Sequence, residues 1–265
     1  LIIPNVIMAE NTHISSKALK QPLVFLHGWG VNAAIFAPVV KQLSTNYQVI
    51  CLDLPGFGDQ VEQFPAPYSL ANVAKELSNT IPPSSIVIGW SLGGLVATQL
   101  ALEYPEKVAK LVTIASSPAF VAKDNWPGIK PDVLAMFHRQ LEGDISKTLA
   151  GFLKLQAMGS PHVRDDIRII KQLVEQKPQP SKAVLDSGLD ILADVDLRDQ
   201  LENISQPFLR IYGKLDALVP HKAIVQIDDM APASKSFILP KASHAPFISH
   251  QVEFIDVLDS WINTD

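Results

Sequence analysis

The sequence holds one cysteine, Cys51. A single thiol closes no disulfide within the chain and builds no cysteine-based metal site, so a disulfide scaffold is excluded and a cytoplasmic setting is expected. Long apolar runs are also missing. Although 47% of the residues are hydrophobic and the mean hydropathy is +0.16, no stretch approaches the roughly 18 uninterrupted apolar residues of a membrane-crossing helix. Positive charge is scarce: 22 Lys and Arg stand against 27 Asp and Glu, a net −5. That balance disfavours non-specific binding to nucleic acid. Internal repeats and low-complexity segments are absent. The opening LIIPNVIMAENTHISSKALK lacks a basic start followed by an apolar run of about 7–15 residues, so no secretory leader is expected in it. Leu1 is not a start residue; the first seven residues read either as preceding a start at Met8 or as a cloning remnant.

What is present is a chain of 265 residues, long enough for one large domain or a core carrying an insertion. Six short, apolar, β-branched runs read as buried parallel strands: Leu23–Leu26, Tyr47–Leu52, Ser85–Ile88, Lys110–Ile114, Pro207–Tyr212 and Lys235–Leu239. Helical patterns at Phe36–Leu43, Leu70–Asn79 and Leu92–Tyr104 separate the early ones. Strand alternating with helix predicts an α/β sheet covered on both faces. The alternation stops after Ser117. From about Phe120 to Val195 only helices are expected, at Pro131–Leu141, Ile145–Met158, Pro161–Lys177 and Ser181–Leu192. The expected organisation is a core over residues 1–118 and 196–265 with a helical cap over 119–195. Such a cap would cover the carboxyl ends of the strands, where open α/β sheets bind ligands.

The most informative stretch is Gly89-Trp90-Ser91-Leu92-Gly93. It matches G-x-S-x-G, with a β-branched strand before it and an amphipathic helix after it. A turn that sharp exposes its central serine at the sheet top, at a helix N-terminus that favours developing negative charge. Ser91 is the expected nucleophile. Acyl transfer also needs two N–H donors aimed at the oxygen that becomes charged. The residue after the nucleophile, Leu92, supplies one. The loop after the first strand, His27-Gly28-Trp29-Gly30, supplies the other from Trp29. His27 could reach such a site, but a role in shaping its loop through backbone hydrogen bonds is expected.

Seven histidines compete for the base. His13 is N-terminal, His138 and His162 fall in the cap, His221 starts a helix and His250 lies near the last one. His244 follows the last strand, in Lys241-Ala-Ser-His-Ala-Pro-Phe, the third place in the chain order Ser, Asp, His. Asp216 lies four residues past the strand at Pro207–Tyr212 and is the expected acid, holding the imidazole tautomer. Asp190, Asp194 and Asp196 compete from the cap exit, ahead of that strand. Asp53, in Leu52-Asp-Leu-Pro-Gly-Phe-Gly, is expected to fix its turn. A Ser-His-Asp triad proceeds through an acyl-enzyme and needs no metal or organic cofactor.

With these residues in place, the chain resembles the α/β-hydrolases of the carboxylesterase group. More closely, it resembles the pimeloyl-[acyl-carrier protein] methyl ester esterases of biotin synthesis. The likeness runs from about Leu23 through LHGWG at 26–30, DLPGFG at 53–58, GWSLGGLVA at 89–97 and ASSP at 115–118. It includes the cap strings WPGIKPDVLA at 126–135 and FL-x-LQ-x-MG at 152–159, then PFLRIYG from 207 and HAPFISH at 244–250. Caps usually diverge first, so the cap strings are the more specific part. The resemblance implies an α/β-hydrolase fold, a mostly parallel sheet flanked by helices, with the helical cap inserted after the sixth strand. It implies hydrolysis of a methyl ester on a pimeloyl chain carried by acyl carrier protein, with methanol released. Carried over by position, the substrate contacts are Trp29, Ser91, Leu92, Phe152, Leu153, Lys154, Leu155, Gln156 and His244. Trp126, Phe137, Phe152 and Met158 line the acyl pocket or form cap core.

Charge supports a docking face. Residues 138–182 carry eight Lys and Arg against five Asp and Glu, a net +3, so the rest of the chain carries −8. Arg164, Arg168 and Lys171 share one helix face by spacing. The family's carrier-protein arginines map onto Arg164 and Arg168, Lys147 stands in for a third, and Gly151 replaces a fourth. The expected partner is acyl carrier protein; nucleic acid, a membrane and a second copy are not. A solvated helix face is the plainer reading of such a stripe. The competing functions are a broad-specificity short-chain ester hydrolase, a carbon–carbon bond hydrolase, and a non-catalytic ligand-binding relative, the last disfavoured by the intact triad.

Overall fold

The computed structural model describes residues 21–264; His13 and Met8 lie outside them. Six strands form one sheet: β1 (Leu23–Leu26), β2 (Val49–Leu52), β3 (Ser85–Trp90), β4 (Val108–Ile114), β5 (Phe208–Gly213) and β6 (Lys235–Leu239). Their order is β2-β1-β3-β4-β5-β6 and every pair is parallel. β1 and β3 are buried throughout, because helices cover both faces. Their sequences therefore read as continuous apolar runs rather than alternating ones. The alternation survives in which face each side chain enters. Leu23 and Phe25 join one core with Ile86 and Ile88, while Val24 and Leu26 join the other with Val87.

Helices α1 (Ala37–Leu43), α2 (Leu70–Ser78) and α3 (Leu92–Glu103) separate the early strands. Their starts are written in the sequence: Pro38 opens α1 and the Ser69 hydroxyl accepts from Asn72 N at the start of α2. The helix expected to be amphipathic, α3, is instead buried on nearly all sides, which fits its mostly apolar sequence. α8 (His221–Met230), α9 (Pro246–Ser249) and α10 (Gln251–Ile262) complete the core.

Between β4 and β5 lie α4 (Pro131–Leu141), α5 (Ile145–Ala157), α6 (Val163–Val174) and α7 (Lys182–Asp194). Asp144 and Ser181 cap α5 and α7 through their side chains. The insertion starts where strand periodicity fails in the sequence. Among the described residues four strands precede it; any further strand of the expected six falls outside the described residues. Only isolated bridges, Val121 with Ile129 and Lys123 with Trp126, interrupt the helices.

The chain runs outward from β1 to β2 and then returns to place β3 on the other side of β1. That reversal opens a crevice at the carboxyl ends of β1 and β3. Leu26 pairs with Gly89 there, so the loop from His27 and the turn at Ser91 emerge side by side.

Candidate active site

Ser91 sits on the turn between β3 and α3 with φ 55° and ψ −119°. A side-chain-bearing residue in that region is strained by about 1–3 kcal/mol, and the surroundings hold it there. Its N–H donates to Ile114 O at 2.9 Å, and its carbonyl accepts from Gly94 N at 2.8 Å and Ser116 Oγ at 2.9 Å. The turn closes only because it lacks side chains at its ends. A Cβ on Gly89 would stand 2.1 Å from the carbonyl oxygen of Gly93.

The structure brings Ser91, His244 and Asp216 into one chain of hydrogen bonds. His244 Nε2 lies 3.0 Å from Ser91 Oγ, and Nδ1 lies 2.8 Å from Asp216 Oδ2. The other oxygen of Asp216 accepts from Leu218 N at 2.8 Å and Val219 N at 3.1 Å. Those bonds fix the carboxylate and leave one oxygen for the imidazole. The Asp216–His244 pair is shielded from water, each side chain being fully buried. With its Nδ1 proton given to Asp216, the imidazole presents a lone pair at Nε2 to the serine hydroxyl.

Leu92 follows Ser91 in the chain, and Trp29 follows Gly28, where a Cβ would stand 3.1 Å from Ser91 Cβ. Leu92 is the first residue of α3, so its N–H has no acceptor in the preceding helical turn. Among the described residues neither of the two N–H groups is spent on a hydrogen bond. This pair can receive an oxyanion formed at Ser91.

The other expected acids and bases lie elsewhere. His138 pairs with Asp186 at 3.2 Å and Asp190 at 3.5 Å, between α4 and α7. Asp196 binds Arg198. His250 contacts Ser249, and His162 and His221 stand at helix starts. His27 binds backbone on both sides, Nδ1 donating to Gly28 O at 2.8 Å and Nε2 accepting from Leu54 N at 3.0 Å. Burial lowers its pKa from 6.5 to about 4, so it is a neutral strut. Asp53 fixes its turn by accepting from Ala33 N and Asp59 N. It also pairs at 2.7 Å with Lys177 from the insertion, a partner that nothing in the sequence signals.

Helix geometry divides the run 152–156. Five consecutive residues sweep more than a full turn and cannot share a face. Phe152 and Gln156 are buried, Leu153 joins the opposite core, Leu155 is half-buried and Lys154 faces solvent. Phe152 meets the Trp29 ring at 4.6 Å. Gln156 is fully buried and both its amide atoms lack a hydrogen-bond partner, a costly state for a polar group unless a ligand completes it. Trp126 donates to Ala119 O and stacks under Arg198, so it is insertion core. Phe137 packs on Phe152, and Met158 is 49% exposed.

Sequence reasoning missed two supports of His244. Trp90 Nε1 donates to the His244 carbonyl at 2.7 Å. Ser243 Oγ reaches the carbonyls of Met158 at 2.6 Å and Gln156 at 3.2 Å, tying the histidine loop to the end of α5. Lys147, Arg164, Arg168 and Lys171 are all exposed. Arg168 pairs with Asp165 and Lys171 with Glu175 on the same helix, which weakens the field that a bare charge count suggests.

A serine on a strand–helix turn, a histidine after the last strand and a carboxylate after β5 together define a hydrolase of the α/β class. The family model described as alpha/beta hydrolase fold matches residues 21–251, and the chain belongs to that family. Within it the chain groups with the pimeloyl-[acyl-carrier protein] methyl ester esterases. A relative of that name from Aeromonas hydrophila subsp. hydrophila is 49% identical over 240 residues, covering 91% of this chain and 94% of its own. Another from Aeromonas salmonicida is 49% identical over 236 residues, covering 89% and 93%. Solved structures share the fold at lower identity. The esterase EaEST from Exiguobacterium antarcticum superposes with a TM-score of 0.82 at 24% identity, covering 93% of each chain. A bromoperoxidase from Bacillus anthracis gives 0.80 at 20%, covering 92% of each. The expected fold and family both hold.

Proposed function

We propose that this chain hydrolyses the methyl ester of pimeloyl-[acyl-carrier protein], releasing methanol and the free pimeloyl carboxylate for biotin synthesis. The observation that carries the reaction class is the hydrogen-bonded chain from Asp216 through His244 to Ser91. The substrate rests on the end-to-end likeness to relatives of that name, the insertion included.

His244 Nε2 takes the Ser91 proton as Oγ attacks the ester carbonyl carbon. The carbonyl oxygen becomes an oxyanion facing Trp29 N–H and Leu92 N–H. Collapse breaks the bond to the methoxy oxygen, which leaves as methanol with the proton from His244. Water then gives a proton to His244 and attacks the acyl carbon. Collapse of the second intermediate returns that proton to Ser91 Oγ and frees the acid. The chain's own groups perform every step, without a metal or organic cofactor.

In this reading the segment 119–195 is a cap over the core formed by 1–118 and 196–265. Ser91 and His244 are 1% and 0% exposed, so the cap must move for a chain to enter. Phe152 and Gln156 line the acyl path, and acyl carrier protein docks on Lys147, Arg164 and Arg168. Among the described residues no helix is long and apolar enough to cross a membrane. A monomer in the cytoplasm fits a carrier-bound substrate.

The test is methanol release from methyl pimeloyl-acyl carrier protein, with wild type beside Ser91→Ala. Release by wild type alone is the expected result. Cleavage of short free esters without release from the carrier-bound ester would keep the triad and replace the substrate with a broader ester class.

A further inference from the structure

The geometry points to helix α7 of the insertion as the element that positions the Trp29 oxyanion donor, acting through Gly188 and the carbonyl of Leu185. The inference rests on the assignment of Trp29 N–H and Leu92 N–H to the oxyanion.

The Trp29 side chain points into the insertion. Its Nε1 donates to Leu185 O at 2.9 Å, a buried bond between residues far apart in the chain. The Phe152 ring closes on it from α5, inclined at 62° to the indole. Trp29 is fully buried, so the indole cannot turn without displacing one of these helices.

Gly188 explains how α7 comes so close. A glycine inside a helix costs about 1 kcal/mol relative to alanine, and α7 runs unbroken from Lys182 to Asp194. A Cβ at 188 would stand 2.7 Å from Trp29 Cδ1 and 3.0 Å from Nε1, and 3.8 Å from Leu92 Cδ2. The missing side chain lets α7 lie flat on the indole. The α7 face thus rests on Trp29, one of the two residues whose N–H groups are assigned to the oxyanion.

Donors to an oxyanion act by being in place before charge develops, and a misplacement of about 1 Å can cost about a hundredfold in rate. The insertion that must lift to admit substrate also holds the donor loop. The oxyanion site is therefore complete only when α7 is seated, and the chemical step is confined to the closed arrangement. Gly188 and Leu185 are positioning residues: they touch Trp29, not the reacting atoms.

The test uses the full chain and a small free ester. Gly188→Ala should lower kcat about 10- to 100-fold with KM within about threefold. Its affinity for a trifluoromethyl ketone, whose adduct with Ser91 carries an oxyanion, should fall by the same factor. Trp29→Phe keeps an aromatic ring but removes the bond to Leu185, and should lower kcat similarly. In that background Gly188→Ala should add less than about threefold, because the two changes break one contact. Additive losses, or a folded Gly188→Ala with kcat and inhibitor affinity within about twofold of wild type, would overturn the proposal. If Gly188→Ala does not fold, undiminished kcat in Trp29→Phe overturns it equally. Wild type that cleaves no ester would overturn the esterase reading instead, a separate result.

Discussion

Trp90, the residue before the nucleophile, donates its indole proton to the main-chain carbonyl of His244 at 2.7 Å. One strand end thus fixes the serine through its backbone and the histidine loop through its side chain. The ring also packs on Phe247 at 5.2 Å and faces the imidazole at 5.6 Å. Trp90→Phe keeps much of that packing and leaves a buried carbonyl without its donor. It should destabilise the fold by about 1–3 kcal/mol and lower kcat several-fold, with KM nearly unchanged. Urea unfolding and steady-state kinetics check both.

Asp216 holds the His244 tautomer through one oxygen while backbone N–H groups hold the other. Asp216→Asn can accept from Leu218 N and Val219 N through its carbonyl oxygen, but its amide then points a donor at Nδ1. The imidazole must answer with a lone pair there and a proton at Nε2, the wrong face for taking the Ser91 proton. A drop in kcat of about 10⁴-fold is expected, with the melting temperature little changed. A variant that retains more than a tenth of wild-type kcat would show that the tautomer is set elsewhere.

The positions of Ser91, the Trp29 loop, Asp216 and His244 were legible because each sits where a strand ends, and strand ends announce themselves by a change of composition. The helices of the insertion were legible from their apolar spacing, and α4 has the predicted bounds. What the sequence concealed joins distant segments through single side chains: Trp90 to His244, Ser243 to Met158, Lys177 to Asp53. Such contacts leave no local periodicity. Gly188 did leave a trace, as a glycine inside a helical pattern, but its meaning needed the indole of Trp29 beside it.

Charge reversal on α6 tests the proposed carrier-protein docking. Arg164 and Arg168 are exposed, and Arg168 already has a carboxylate neighbour. Reversing both, with Arg164→Glu and Arg168→Glu, should lower kcat/KM for methyl pimeloyl-acyl carrier protein at least tenfold more than for a small free ester. The gap should shrink as salt rises toward about 0.5 M, where the Debye length falls below about 5 Å. Equal losses on the two substrates would remove α6 from the docking face.

Lys177 joins the insertion to the core by pairing with Asp53 at 2.7 Å and Asp59 at 2.8 Å, and Asn32 adds a bond to Val174 O. Asp53 is nearly closed off from water, its side chain 4% exposed, so Lys177→Met leaves a buried carboxylate without its cation. The loss should be about 2–4 kcal/mol, less than for a fully buried pair because the lysine is partly solvated. Lys177→Arg should recover part of it. Chemical unfolding of the three proteins at pH 7.5 gives the comparison.

His27 sets an acid limit on the fold. It is buried among the turn that Asp53 fixes, with Lys177 beyond, and burial holds its pKa near 4 against 6.5 in an unfolded chain. Between those values the unfolded chain binds a proton that the folded protein refuses. Stability from this group is therefore full above about pH 6.5 and falls as pH drops toward 4. The loss at pH 4.5 comes to about 2–3 kcal/mol. Protonation would also turn Nε2 from acceptor to donor, opposite the N–H of Leu54, and so loosen the loop that carries Trp29. His27→Gln can accept from Leu54 and donate to Gly28 without titrating. Urea unfolding at pH 7.5 and 4.5 should therefore show a markedly smaller acid loss for the variant. An equal loss in both proteins would place the acid sensitivity on the carboxylates instead.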